Sequence, residues 1–415
     1  MGIKLRLTIM NFLQFFVWGS YLTSFGGYMN DKLDFKGEEI GLVFMTMGIA
    51  SLFMPTLLGI VADRWMNAER VLSFAHFISA CFLFWSFTVK DPDTMFWAIM
   101  LVNIFYMPTI ALNNTVSYNI LLGSGLDPQK SFPPIRVWGT IGFIAAMWSV
   151  DLLGLTLEAE QLLVAGIAGV GMGVYSLFMP ACPPAGKSES KSIFSAFGLD
   201  AFVLFRNSKM LVFFLFAMFL GAALQVTNQW GVPFLKHFGA MPEYAESFGV
   251  KHANILASIS QISETLFILT IPFFLTRFGI KKVMIISIVA WVLRFGLFAI
   301  GDPGSGVSLL ILSMIVYGMA FDFFNISGSL FVEREADKSI RASAQGLFML
   351  MTNGIGAIIG SYGSGWVVQH YTQGQTTDWT TVWYIFAAYA LVLALIFPLA
   401  FRYKHNPADV QNVSH

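Results

Sequence analysis

Packing alone does not account for the polar groups set inside this chain's long apolar stretches. Gln225 and Asn228, Gln261 and Glu264, and Asp322 and Asn325 each stand three residues apart, so each pair projects from one helical face. Asn11 and Gln14 share that spacing near the start, Asn113 and Asn114 adjoin further on, and Arg136 and Thr140 are four apart. Phe143 follows Thr140 by three residues on the same face, and Tyr317 and Phe321 approach Asp322 within about one turn. An ionisable group costs on the order of 2.5–3.5 kcal/mol at the middle of a membrane-spanning helix. An amide pair offsets part of its cost as interhelical glue, at about 0.6 kcal/mol per bond. A carboxylate is a costly choice of glue, which singles out Glu264 and Asp322. Amide donors and acceptors, hydroxyls, two carboxylates and a guanidinium, beside rings that can stack, suit a neutral solute with many hydrogen-bonding groups, such as a sugar or a nucleoside.

Long apolar helices must position these groups. Of 415 residues, 56% are apolar and 12% charged, and the mean hydropathy is +0.68. About 25% charge would be ordinary for a soluble domain. This composition excludes a disordered chain, a nucleic-acid binder and a two-domain soluble enzyme, and the zero net charge implies no acidic or basic partner. A helical span needs about 20 apolar residues. Twelve such stretches are expected, over 7–29, 40–62, 71–89, 94–121, 133–153, 161–180, 210–235, 253–276, 282–300, 307–331, 343–369 and 380–401. The fold class is therefore all-α integral membrane.

The first stretch follows Lys4 and Arg6, is too long for a signal-peptide core and has no cleavage site, so it reads as a retained helix. Met1-Gly2 is not a myristoylation signal, because Arg6 occupies the position that needs Ser or Thr. Counting alternate connections puts eighteen of the 24 Lys and Arg on the side of the N-terminus and five on the other, with Arg294 inside a span. Cations concentrate in the cytoplasm, so both termini are expected there. Cys81 and Cys182 form neither a metal framework nor a disulfide scaffold. The Asn-x-Ser/Thr triplets at Asn113 and Asn325 fall within spans and that at Asn412 in the tail, so none is expected to carry a glycan.

Six spans on either side of a polar stretch suggest a duplication. The expected organisation is an N-terminal half over 1–180, a cytoplasmic linker over 181–209, a C-terminal half over 210–402 and a tail over 403–415. The connection after span 2, with Asp63, Arg64 and Arg70, is echoed after span 8 by Arg277, Lys281 and Lys282. Arg136-Val-Trp-Gly139, opening span 5, is echoed by Arg341-Ala-Ser-Ala-Gln345-Gly346, opening span 11. The two echoes lie 213 and 205 residues apart.

Gly59, Asp63, Arg64 and Arg70 resemble the signature of the major facilitator superfamily, with Met66 where that family has Gly. The resemblance implies two six-helix repeats around a central cavity that rock against each other, with Asp63, Arg64 and Arg70 in a loop that takes part in the conformational change. Longer strings narrow it. Phe132-Pro-Pro-Ile-Arg136-Val-Trp-Gly-Thr140-Ile-Gly-Phe143, Ile259-Ser-Gln261-Ile-Ser-Glu264 and Tyr317-Gly-Met-Ala-Phe321-Asp322-Phe-Phe-Asn325 resemble the nucleoside:proton symporter family of bacterial permeases. The opening Asn11-Phe-Leu-Gln14-Phe-Phe-Val-Trp18-Gly and the closing Tyr403-Lys404-His405 fit as well.

That resemblance implies proton-coupled uptake of purine and pyrimidine nucleosides across the inner membrane. The partners are nucleoside, proton and lipid bilayer, with no cofactor, metal or catalytic site. It assigns Arg136, Thr140, Phe143, Gln225, Asn228, Gln261, Glu264, Tyr317, Phe321 and Asp322 to the substrate cavity. A carboxylate in a low-dielectric cavity holds a proton more tightly. Asp322, among Tyr317, Phe321 and Phe323, is the first choice of proton carrier. Glu264 is the partner of ribose hydroxyls and the second proton-coupling acid, and Arg136 fixes a base carbonyl or pairs with a carboxylate. The nearest rival is a sugar or disaccharide symporter of the same superfamily. An intramembrane enzyme lacks His-Glu-x-x-His, Gly-x-Ser-x-Gly or a metal-ligand cluster to support it. A channel is disfavoured by the two-half repeat and by the lack of a ring-forming oligomer motif, and the expected working unit is a monomer.

Overall fold

A computed structural model describes residues 2–184, 199–338 and 340–403. Lys187 to Lys191 of the expected linker, and Lys404 and His405 of the closing string, lie outside the described residues. The chain separates into two compact units, Met1–Lys191 and Ser192–His415.

The first unit is built from α1 (Ile3–Gly19), α2 (Phe25–Asp31), α3 (Gly37–Arg64), α4 (Ala68–Thr88), α5 (Pro92–Gly123), α6 (Pro128–Leu152) and α7 (Glu160–Leu177). The second holds a 3-10 helix (Leu199–Arg206), then α8 (Ser208–His237), α9 (Phe248–Lys251), α10 (Ala253–Ala257), α11 (Ile259–Ile268), α12 (Ile271–Ile300), α13 (Val307–Ala320) and α14 (Asp322–Glu335). After these come α15 (Arg341–Met349), a π-helical turn (Leu350–Gly356), α16 (Ala357–His370), a two-stranded hairpin of β1 (Thr372–Gln373) and β2 (Thr376–Thr377), and α17 (Trp379–Ala400). Ten helical stretches among the described residues are long and apolar enough to cross a membrane.

Expected spans 1 and 8 do not form single helices long enough to count, which accounts for the difference from twelve. Span 1 begins earlier, at Ile3, and breaks over residues 20–24 before α2 continues it. Span 8 is divided among α9, α10, α11 and the start of α12. It ends at Gly279, whose φ of 77° and ψ of 165° turn the chain sharply into span 9. A side chain rarely tolerates that backbone, so glycine is required there. The linker also departs from expectation. Leu199–Arg206 is not a polar tether but a helical turn that buries Ala201 and sets Phe205 edge-on to Phe214 at 5.5 Å.

Helix starts follow local chemistry. Asp91 and Asp127 precede prolines at the first helical position and accept from the backbone N–H groups of Thr94 and Gln129, both at 2.9 Å. Asn207 and Asp378 cap α8 and α17 in the same way. The Thr94 N–H holds the Asp91 carboxyl below its usual range.

Packing repeats between the units. In the first, spans 1 and 5, 2 and 4, and 3 and 6 pair; in the second, spans 7 and 11, 8 and 10, and 9 and 12 pair. Two of these pairs are glycine-lined backbone crossings. A Cβ on Gly142 would lie 2.2 Å from the Phe12 carbonyl oxygen, and one on Gly19 would lie 2.5 Å from that of Phe143. In the equivalent pair, a Cβ on Gly221 would meet the Thr352 carbonyl at 2.2 Å, and one on Gly360 the Ala222 carbonyl at 2.4 Å. Small residues let helix backbones approach where lipid provides no hydrophobic drive. Gly142→Val is therefore expected to lower the thermal midpoint of the solubilised protein, an overpacking loss of about 1–3 kcal/mol, while Gly59→Val, with open space around it, leaves the midpoint unchanged.

Candidate functional site

In the first unit, α6 carries Arg136, Thr140 and Phe143 on one side, and α1 supplies what they rest on. The Arg136 guanidinium lies 4.1 Å from the centroid of the Phe15 ring, a cation–π stack. A Cβ on Gly139 would stand 2.7 Å from both Arg136 and Phe15, so the absent side chain leaves room for the stack. Thr140 is half-buried one turn on. Phe143 is buried, edge-on to Trp18 at 6.2 Å, and Trp18 packs against Tyr106 at 6.0 Å. Phe15, Trp18 and Tyr106 were not singled out by type. For Phe15 and Trp18 the signal was position, since both follow Gln14 within about one helical turn; Tyr106 had none.

The second unit places six of the other seven predicted residues on α8, α11, α13 and α14, and Phe321 between the last two. Gln225 is buried, with Oε1 lacking a hydrogen-bond partner among the described residues, and Asn228 is half-buried one turn on. Gln261 and Glu264 share α11, the short helix between two breaks of span 8. Span 10 also breaks, at Phe321, so Asp322 opens α14 as a buried first residue. The Ser263 hydroxyl donates to the Ile315 carbonyl at 2.5 Å, and Gly318 admits the Ser263 backbone where a Cβ would be 2.6 Å away. Spans 8 and 10 therefore meet at the residues flanking Glu264 and Tyr317. Glu264, Asp322 and Arg294 all act electrostatically on the buried Tyr317 hydroxyl. Interrupted helices at acids of this kind are how transporters line a polar site within the bilayer.

Arg294 belongs beside these groups, although its place in sequence gave no partner. It is 2% exposed, lies 4.3 Å from the centroid of Phe298 and 5.3 Å from that of Tyr317, and faces the Ser313 hydroxyl. Asn11, Gln14 and Asn113 act as interhelical glue in the first unit: Asn113 Nδ2 donates to Asn11 Oδ1 at 2.9 Å, and Gln14 Nε2 to Thr109 at 2.8 Å.

Asp63, Arg64 and Arg70 are exposed in the α3–α4 connection. The acid that organises this connection is Glu69, a residue sequence reasoning missed. It is 3% exposed and accepts from the Cys182 N–H at 2.8 Å and from Asn67 Nδ2 at 3.0 Å. The Ala68 N–H donates back to the Cys182 carbonyl at 3.0 Å, so the chain leaving α7 is clasped to the start of α4. Burial, and then the Glu69 carboxylate, push the Cys182 thiol up to about 12. The thiolate is the reactive form, so at pH 8 only about one thiol in ten thousand is nucleophilic. In a Cys81→Ser background, Cys182 is expected to resist N-ethylmaleimide at pH 8 until the protein is denatured, as intact-mass measurement will show.

Apolar spans in two equivalently paired sets of six, with Asp322 at a helix break and Gln261 and Glu264 on a short helix between two breaks, define an all-α membrane transporter of the major facilitator type. The chain belongs to the nucleoside H+ symporter family, whose model matches residues 1–406, and so to a family of transporters rather than enzymes. It is 54% identical over 413 residues to the xanthosine permease of Escherichia coli K12, with 99% of each chain covered. It is also 54% identical over 418 residues to the nucleoside permease NupG of the same organism, with both chains fully covered. The crystal structure of the nucleoside transporter NupG superposes with a TM-score of 0.92 at 55% identity, covering 97% of this chain and 100% of that one.

Proposed function

We propose that this protein takes up nucleosides, purine and pyrimidine alike, together with protons across the bacterial inner membrane, by the alternating access that its family resemblance implies. The observation that carries this reading is identity of 54% to a nucleoside permease and to a xanthosine permease over essentially the whole chain. Both termini lie in the cytoplasm, as the cation count supports, and the working unit is a monomer.

Arg136, stacked on Phe15, presents its N–H groups to a base carbonyl, while Phe143 offers a ring to the base and Thr140 a hydroxyl. Gln225, Asn228 and Gln261 supply amide donors and acceptors. Glu264 accepts from ribose hydroxyls, Tyr317 and Phe321 bound the sugar, and Asp322 takes up and releases the transported proton. A proton moving down a membrane potential of 100 mV releases about 2.3 kcal/mol, the drive for accumulation. Asp63, Arg64 and Arg70 change neighbours as the site switches sides.

Uptake of labelled uridine, in a host lacking its own nucleoside uptake, tests the reading through competition. Unlabelled nucleosides should compete, and dissipating the proton gradient should end accumulation. Competition by sugars or disaccharides but not by nucleosides would replace the reading with its superfamily rival.

A further inference from the structure

His76 lies in the middle of α4, fully buried, and the transport scheme above gives it no part. Its hydrogen-bond network settles its protonation. Thr109 has one hydroxyl hydrogen, given to the Tyr106 carbonyl at 2.6 Å, so toward Gln14 it accepts. Gln14 therefore turns its Nε2 to Thr109, at 2.8 Å, and its Oε1 to His76 Nε2, at 2.9 Å. Two acceptors cannot bond, so His76 Nε2 carries a hydrogen. Nδ1 is buried without a hydrogen-bond partner among the described residues. A second N–H there would bury an unsatisfied donor on a cationic ring, far costlier than a bare lone pair.

The surroundings favour a neutral ring as well. Helix α5 brings the Tyr106 ring to it at 5.8 Å, its hydroxyl already committed to the Gln14 carbonyl at 2.7 Å. The carboxylates and cations of α1, α3, α4, α5 and α7 all stand near the ends of those helices: Lys4 and Arg6; Glu38, Glu39, Asp63 and Arg64; Glu69 and Arg70; Asp93; and Glu160. The same contacts lead to the substrate groups. Gln14 is held through its side chain by His76 and Thr109 and through its carbonyl by Tyr106. Tyr106 packs on Trp18, one turn beyond Gln14, and Trp18 on Phe143.

We propose that His76 is a positioning residue: a permanently neutral Nε2–H imidazole that fixes the Gln14 amide and thereby the Tyr106–Trp18–Phe143 wall, without carrying a transported proton. This rests on the assignment of Phe143 to the substrate. Gln extends an amide N–H to about the reach of Nε2, whereas Asn stops near Nδ1 and Leu donates nothing. In proteoliposomes, His76→Gln should keep the uridine KM within about twofold of the parent. His76→Leu and His76→Asn should raise it about tenfold with little change in maximal rate, and the pH profile should not move in any of them.

Nitrogen-15 NMR of histidine-labelled wild-type protein should show one ring with a protonated Nε2 and a bare Nδ1, unchanged between pH 5.5 and 8. An imidazolium or Nδ1–H signal from the ring whose resonances are lost in His76→Gln, an unchanged KM in His76→Leu, or a flattened pH profile in His76→Gln would each overturn the proposal. Should His76→Leu fail to fold, the Gln–Asn comparison and the wild-type spectrum decide. A wild-type protein that moves no nucleoside would instead refute the function, and the spectrum would still report the state of His76.

Discussion

Asp322→Asn is expected to abolish uphill uptake and spare exchange. The substitution keeps the shape of the protonated acid, with an amide NH2 in place of the acid O–H, and removes the negative charge and the ability to cycle a proton. In proteoliposomes under an imposed proton gradient, the ratio of internal to external uridine should fall to about one. Exchange of labelled for unlabelled uridine, which needs no net proton movement, should continue. The effect is large because coupling is all or none: a carrier that binds solute without the proton only equilibrates it, whatever its affinity. Asp322 opens α14 as a buried residue at the break in span 10, with Tyr317 one turn before it under the shared field of Glu264 and Arg294. Continued accumulation by Asp322→Asn would move the proton elsewhere, with Glu264 next to be tested.

Glu264→Gln should give the second largest effect, and on a different quantity. A hydrogen bond to a charged group contributes about 1.5–3 kcal/mol, so replacing the carboxylate should weaken uridine binding by roughly 10- to 100-fold. The loss belongs to the ribose. Nucleosides lacking the hydroxyl that Glu264 accepts from should bind the parent weakly and the variant little worse, so discrimination between ribo- and deoxyribonucleosides should shrink. Calorimetric titration of the solubilised protein measures both. An undiminished preference for the ribose hydroxyl in Glu264→Gln would remove Glu264 from the sugar.

Hydropathy made most of the architecture legible, because a span must be long and apolar to satisfy its backbone in lipid. It could not show the interruptions. The residues at 20–24, at Ser258 and at Phe321 are as apolar or as small as their neighbours, and a helix break depends on what the neighbouring span presents to the freed backbone groups. Gly279, which needs a positive φ, and Pro272, in the first turn of α12, were marked by residue type. The candidate site divides in the same way. Polar residues in apolar stretches stand out singly, so Gln225, Glu264 and Asp322 could be singled out as candidates. Their supports are ordinary apolar residues whose importance comes from contact: Phe15 under Arg136, and Trp18 against Phe143. Arg294 was conspicuous by charge, but its relation to Tyr317 depends on how spans 9 and 10 pack. Glu69 carries no signal of its own in the sequence, because nothing local announces that Cys182 will return to it.

The most direct test is proton movement set off by solute. Wild-type proteoliposomes with a pH-sensitive dye outside and no imposed gradient should alkalinise the medium when uridine or xanthosine is added, and should not respond to disaccharides. Uridine entering with no accompanying proton flux, or a proton flux evoked by disaccharides alone, would contradict proton-coupled nucleoside uptake at its root.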